Sequence, residues 1–146
     1  MLNISVDTTD DKNLINNIII ECDNAFTEPV SKRDIYCELL QKIHEKGIFI
    51  FAHCDVPMGY CAFYANDCDT KNAFISLIAV KPECQHMHIG KRLLETCFDI
   101  AKGQGMKSCS LEVKKDNLRA INFYEKNGFE FLSERENSFL MNKALL

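Results

Sequence analysis

The densest chemistry in the chain lies between Ile75 and Tyr124. Ile75 to Val80 is an apolar, β-branched run that reads as a buried strand, and Pro82, which lacks an N–H, ends it. A polar turn, Glu83 to His88, leads into a helix opening near Ile89 or Gly90. The first amides of a helix have no internal acceptor, and the helix dipole favours negative charge there. Strand, turn and helix start therefore make a holder for phosphate or another anion. The donors would be backbone amides of residues 85–91, with Lys91 and Arg92 adding positive charge. Further along, strand alternation puts Leu111 and Val113 on one face and Ser110 and Glu112 on the other. A mid-strand carboxylate needs water or a partner. Beside a cleft it can act as a base, directly or through a water; elsewhere it is a solvated or salt-bridged glutamate.

The elements that must position these residues follow from periodicity. Leu2 to Val6 reads as a short strand, and Asp10 to Phe26 carries apolar residues at helical spacing until Thr27 to Ser31 breaks it. Asp34 to Lys46 is a second amphipathic helix, closed by Gly47 in the left-handed position that glycine tolerates. Ile48 to His53, Gly59 to Ala65 and Ala73 to Val80 form a meander, joined through Asp55 to Met58 and Asn66 to Asn72. A helix from Gly90 to Lys102 ends at Gly103 and Gly105. Met106 to Val113 is a strand, and Asn117 to Asn127 a helix capped by Asn117 and stopped by Gly128. Phe129 to Ser133 and Ser138 to Lys143 close the chain as an antiparallel pair, with Glu134 to Glu136 a solvated turn. The class is α/β, with one right-handed crossover through the Gly90 helix.

Composition bounds the function. The 146 residues are 47% hydrophobic and 26% charged, ordinary for one globular domain. A net charge of −4 with scattered Lys and Arg gives no nucleic-acid surface. No stretch approaches a membrane span, and the acidic N-terminus has no signal-peptide pattern, so a cytoplasmic location is expected. The eight cysteines include no C-x-x-C pair and read as reduced thiols rather than disulfides or a zinc site. Cys84, beside the anion loop, is the candidate for a low-pKa thiol. His44 and His53 read as structural, and Asn122 as solvent-exposed.

Gln85-His86-Met87-His88-Ile89-Gly90 resembles the Q/R-x-x-G-x-G/A loop of the GNAT (GCN5-related) N-acetyltransferases, which binds the pyrophosphate of acetyl-CoA. Leu111-Glu112-Val113, Asn117-x-x-Ala120-x-x-Phe123-Tyr124 and Asn127-Gly128-Phe129 follow in that family's order. The likeness is strongest over residues 48–132. It is weak over residues 1–47, the helical part that shapes the acceptor pocket in that family; residues 133–146 close the sheet. One departure stands out: His88 occupies the place of the loop's first glycine. A position needing φ > 0 disfavours a Cβ, though His tolerates it better than most, so weakened cofactor binding is expected.

The resemblance implies a mixed, mostly antiparallel sheet flanked by helices and, without a metal, direct acetyl transfer from acetyl-CoA to an amine. It implies that Ile78, Ala79 and Val80 pair with the pantetheine arm and that Gln85, His86, Met87, His88, Ile89, Gly90 and Lys91 hold the pyrophosphate. Asn117, Ala120 and Tyr124 complete the cofactor site. Tyr124 would be the acid that protonates the departing thiolate, and Glu112 the base, at the spacing found in ribosomal-protein alanine N-acetyltransferases. The acceptor amine must be neutral. A lysine-like amine is only ~0.04% neutral at pH 7, a handicap of roughly 4.6 kcal/mol, against about 1.4 kcal/mol for an α-amine. A small-molecule amine or amino sugar is the favoured acceptor. A protein N-terminus or lysine, and a non-catalytic CoA-binding module, stand as alternatives, and the molecule would be a monomer or homodimer.

Overall fold

A computed structural model describes residues 3–146. Among these residues seven strands form one sheet in the order β1-β2-β3-β4-β5-β7-β6: β1 (Ser5–Thr9), β2 (Ile48–His53), β3 (Pro57–Tyr64), β4 (Asn72–Val80), β5 (Ser108–Lys114), β6 (Glu130–Glu134) and β7 (Ser138–Ala144). Every pairing is antiparallel except β4 with β5. Four helices flank it: α1 (Lys12–Glu21), α2 (Tyr36–Lys46), α3 (Ile89–Gly103) and α4 (Leu118–Lys126). This is the mixed, mostly antiparallel arrangement that the resemblance implies, and the α/β class with its crossover through α3 that the apolar periodicity implies.

Two apolar layers hold the sheet. On one face Ile89, Leu93, Leu94, Cys97 and Ala101 of α3 pack on Ile50, Cys61, Phe63, Ile75, Leu111 and Met141. On the other, Ile15, Ile18 and Ile19 of α1 and Ile43 of α2 pack on Phe49, Tyr60, Ala62, Leu77 and Ala79. β4 changes allegiance along its length. Ile75 faces the α3 layer, yet Leu77 faces the α1 layer, because Phe63 pairs with Ile75 and Ala62 with Leu77, leaving Ser76 as an extra residue. Such a bulge bends a strand and increases its local twist. It falls where β4 parts from β5: their ladder stops after four pairs, at Ile75 with Leu111, and residues 76–80 keep a strand partner on the β3 side alone.

Several boundaries differ from the sequence expectation. The first strand runs Ser5–Thr9, and its expected first residue, Leu2, lies outside the described residues. α1 stops at Glu21 because Cys22 starts a 3-10 turn over Asp23–Ala25, although the apolar spacing continues to Phe26. Gly47 is extended (φ −92°, ψ 172°), not left-handed, and leads directly into β2. The left-handed stop falls instead at Gly105 (φ +87°) and Gly128 (φ +96°). Among the described residues no helix is long and apolar enough to cross a membrane.

Candidate functional site

The parting of β4 and β5 opens a cleft of about 750 Å³, floored by Ile78, Ala79 and Val80 and walled by the β4–α3 loop and by α4. Gln85, His86, His88, Gly90, Lys91, Asn117, Ala120 and Tyr124 also line it, so most of the residues singled out from the sequence share one surface. Three do not. Ile89 is fully buried in the α3 layer. The Met87 side chain points to solvent outside the cleft. Glu112 lies on the opposite face of β5 from Leu111 and Val113, away from the cleft lining.

The loop presents amides. Gln85 N–H donates to Pro82 and Met87 N–H to Cys84, which stabilises the turn. The amides of His86, His88, Ile89, Gly90 and Lys91 donate to no acceptor among the described residues. Five free donors at the start of a fifteen-residue helix, where the dipole adds positive potential, fit a diphosphate. His88 stands at φ +59°, ψ +23°, so the loop takes the left-handed turn that glycine makes most readily, with an imidazole in its place. Gly90 has a different reason to lack a Cβ: one built there would come within 2.8 Å of Phe123 Cζ on α4. The glycine lets α3 and α4 approach.

Charge around the cleft comes from Lys91 on α3 and from Arg119 and Lys126 on α4. Arg92 does not contribute, since its guanidinium donates to the Ile4 carbonyl at 2.7 Å. Cys84 is not an activated thiol: burial and the adjacent Glu83 push it up, not down. Asn117 caps α4, its side chain accepting from Ala120 N–H at 3.2 Å. Gln85 Nε2 reaches the Val80 carbonyl at 3.5 Å, tying the loop to the end of the strand. Among the described residues no cluster of His, Cys, Asp or Glu is placed to hold a metal.

Tyr124 packs against Phe123 and Phe129 with ring centroids 5.5 and 5.8 Å away. Burial pushes its phenol well above the usual range, so it stays protonated and available as a donor. Its hydroxyl makes no hydrogen bond among the described residues. Across the sheet, Glu112 accepts from Ser138 Oγ at 2.8 Å, and Arg135 Nη1 stands 3.6 Å from its second oxygen. The turn read as merely solvated is thus engaged: Arg135 with Glu112, and Glu134 with Lys115 at 2.8 Å.

Residues that sequence reasoning missed at the cleft are Ala25, Phe26, Arg119, Phe123, Lys126 and Asn127. Phe123 and Asn127 were visible only as family markers. Arg119 and Lys126 carried a signal, being basic and on the same helix as Tyr124. Phe26, held under the Arg33 guanidinium at 5.2 Å, comes from the weakly matching N-terminal part.

Comparison with known proteins agrees with this geometry. The acetyltransferase (GNAT) family profile matches residues 14–129. A Bacillus subtilis protein, provisionally named a ribosomal protein bS18-alanine N-acetyltransferase, is 29% identical over 82% of this chain and 76% of its own length. The spermidine N(1)-acetyltransferase of Thermoplasma acidophilum is 39% identical over a shorter stretch, 44% of this chain and 40% of that protein. The structure of the PaiA N-acetyltransferase of T. acidophilum, solved in complex with coenzyme A, superposes with a TM-score of 0.76 at 22% identity, covering 98% of this chain and 99% of that one. With that profile running from α1 through the cleft to Phe129, the chain belongs to the acetyltransferase (GNAT) family, the acetyl-CoA-dependent N-acetyltransferases.

Proposed function

We propose that this enzyme transfers acetyl directly from acetyl-CoA to an α-amino group, that of a peptide or protein N-terminus, with Tyr124 as acid and Glu112 as base. The observation that carries the reading is the opening between β4 and β5, with the Tyr124 phenol on the α3–α4 side and the Glu112 carboxylate on the other. Bound in the cleft, acetyl-CoA supplies an electrophilic thioester carbonyl and a thiolate leaving group. The β4 residues 76–80 offer main-chain groups along an edge with no strand partner, and five loop amides offer donors for the diphosphate. That positioning leaves the amine to approach from the Glu112 face, so proximity does much of the work. Glu112 accepts the amine's proton, directly or through a water, and Tyr124 gives its own to the thiolate.

The acceptor preference departs from the small-molecule expectation. An α-amine needs about 3 kcal/mol less deprotonation than a lysine-like amine, which suits a site with one carboxylate base. The longest of the curated likenesses described above, to the B. subtilis protein, points the same way. A polyamine is the second reading, favoured by the spermidine enzyme's likeness over its matched stretch. Carried by chemistry alone, a cytoplasmic location agrees with a substrate thioester made inside the cell.

The test is a mass-spectrometric assay with acetyl-CoA and two acceptors, spermidine and a peptide beginning with alanine whose α-ammonium is its sole positive charge. The peptide is expected to have the higher kcat/KM. Tyr124→Phe and Glu112→Gln should each lower kcat by about 10²-fold, the usual weight of a general acid or base, while acetyl-CoA affinity stays within about threefold. Near-normal kcat in both variants would remove the assigned roles, and preference for spermidine would transfer the enzyme to the polyamine reading.

A further inference from the structure

Glu112 is the first β5 residue beyond the last β4 pair, and both of its carboxylate oxygens are engaged from β7 and the turn before it. Ser138, buried at the start of β7 and diagonal to Glu112 (its own partner is Lys114, and Leu140 stands opposite Glu112), donates its hydroxyl to Oε1 at 2.8 Å. Arg135 stands by Oε2 at 3.6 Å, too far for a hydrogen bond, with its side chain 59% exposed. The backbone under it is fixed, because Arg135 N–H donates to the Ser138 carbonyl at 2.8 Å. Lys114 lies two residues along the same face of β5. The two contacts differ in kind: the serine fixes the carboxylate, whereas the guanidinium neighbours it without locking it.

An exposed ion pair at this separation adds little to stability, since solvent screens it and the side chain gives up rotamer freedom to form it. Its effect on an arriving cation is larger in proportion. The acceptor's ammonium must come to the carboxylate that Arg135 already attends, and any second positive charge on the acceptor meets the guanidinium at close range. We propose that Arg135 is a specificity-determining residue: it displaces readily for a single ammonium but repels acceptors carrying two or more, selecting monocationic α-amines over polyamines. This inference rests on the acceptor face assigned above. It adds no step to the reaction; Arg135 acts on charge at the approach to Glu112, and Ser138 is the positioning residue that keeps the carboxylate in place.

Binding of two probes, methylammonium and spermidine, followed by shifts of the Glu112, Ser138 and Leu140 backbone amides, tests the charge gate without turnover. Arg135→Gln is expected to tighten spermidine about three- to tenfold at low salt while changing methylammonium less than twofold, and the gain should shrink below twofold in 0.5 M NaCl. Arg135→Lys, which keeps the charge, should behave as the parent protein. Unchanged spermidine affinity in Arg135→Gln overturns the proposal. So does a gain that ignores salt, a lysine variant that behaves like glutamine, or spermidine that leaves these amides unmoved in both proteins. The two readings fail separately: spermidine preferred in turnover with the binding discrimination intact removes the α-amine assignment, and the reverse removes the gate.

Discussion

At the scale of single residues, His88 shows how a departure from a family's loop can be harmless to its backbone. The residue sits at φ +59° with its amide free, so the turn that glycine makes is already made. A non-glycine residue held there costs about 1–3 kcal/mol. His88→Gly relieves that strain but adds unfolded-state freedom, two opposing effects on stability. Because the turn is already made and the amide already free, acetyl-CoA affinity by calorimetry is expected within about threefold of the parent, in place of the weakened binding expected from sequence. His88→Val, β-branched in a left-handed position, should lose about 2 kcal/mol of stability and bind more weakly. A tenfold gain in His88→Gly would show instead that the imidazole obstructs the loop. The loop was legible in sequence because strand end, turn and helix start are consecutive. The Glu112, Ser138 and Arg135 group was not: only the β5–β7 register, pairing Glu112 with Leu140 and Lys114 with Ser138, brings those residues together.

At the scale of elements, most strands and helices were readable from apolar period, and the errors fell at their ends. Asn117 was read as a cap and is one. Asn117→Ala should destabilise the protein by about 1 kcal/mol in urea unfolding, because the Ala120 amide loses its acceptor. No change would mean that water replaces the side chain at no cost. α1 ended earlier than its pattern, since apolar spacing records which residues face the core and not where the helix stops: Cys22 is buried from the 3-10 turn as it would be from a helix. The Ser76 bulge left no trace in sequence. Ile75, Leu77, Ala79 alternate without interruption with Ser76, Ile78 and Val80, and only pairing with β3 reveals that the faces exchange.

At the scale of the whole molecule, the phenols and several thiols hold their protons more tightly in the fold than outside it. Burial pushes the phenols of Tyr36, Tyr60, Tyr64 and Tyr124 upward, Tyr36 to about 12. The Cys22 thiol is likewise raised by burial to about 12, and contact with Cys97 together with burial raises Cys109. In the unfolded chain thiols ionise near 8.5 and phenols near 10. Above those values the native state keeps protons that the unfolded state has lost, so stability falls as pH rises; below about pH 8 this contribution is intact. Thermal melts should therefore show Tm declining from about pH 8.5 and more steeply beyond 10. A flat profile to pH 11 would mean that these groups are as accessible folded as unfolded.

The four-pair β4–β5 ladder is also a seam. On one side stand β1 to β4 with α1 and α2; on the other, β5, α4, β6 and β7, with α3 lying over the join. Between α3 and β5 the backbone makes its left-handed turn at Gly105, an open position where even an added Cβ meets nothing within 4 Å. The chain therefore has a natural point of division there. Residues 1–105 and 106–146, made as separate polypeptides, should find each other through the α3 layer and that short ladder. Because the cleft takes one wall from each piece, acetyl-CoA should act as mortar, and reassembly should tighten as its concentration rises.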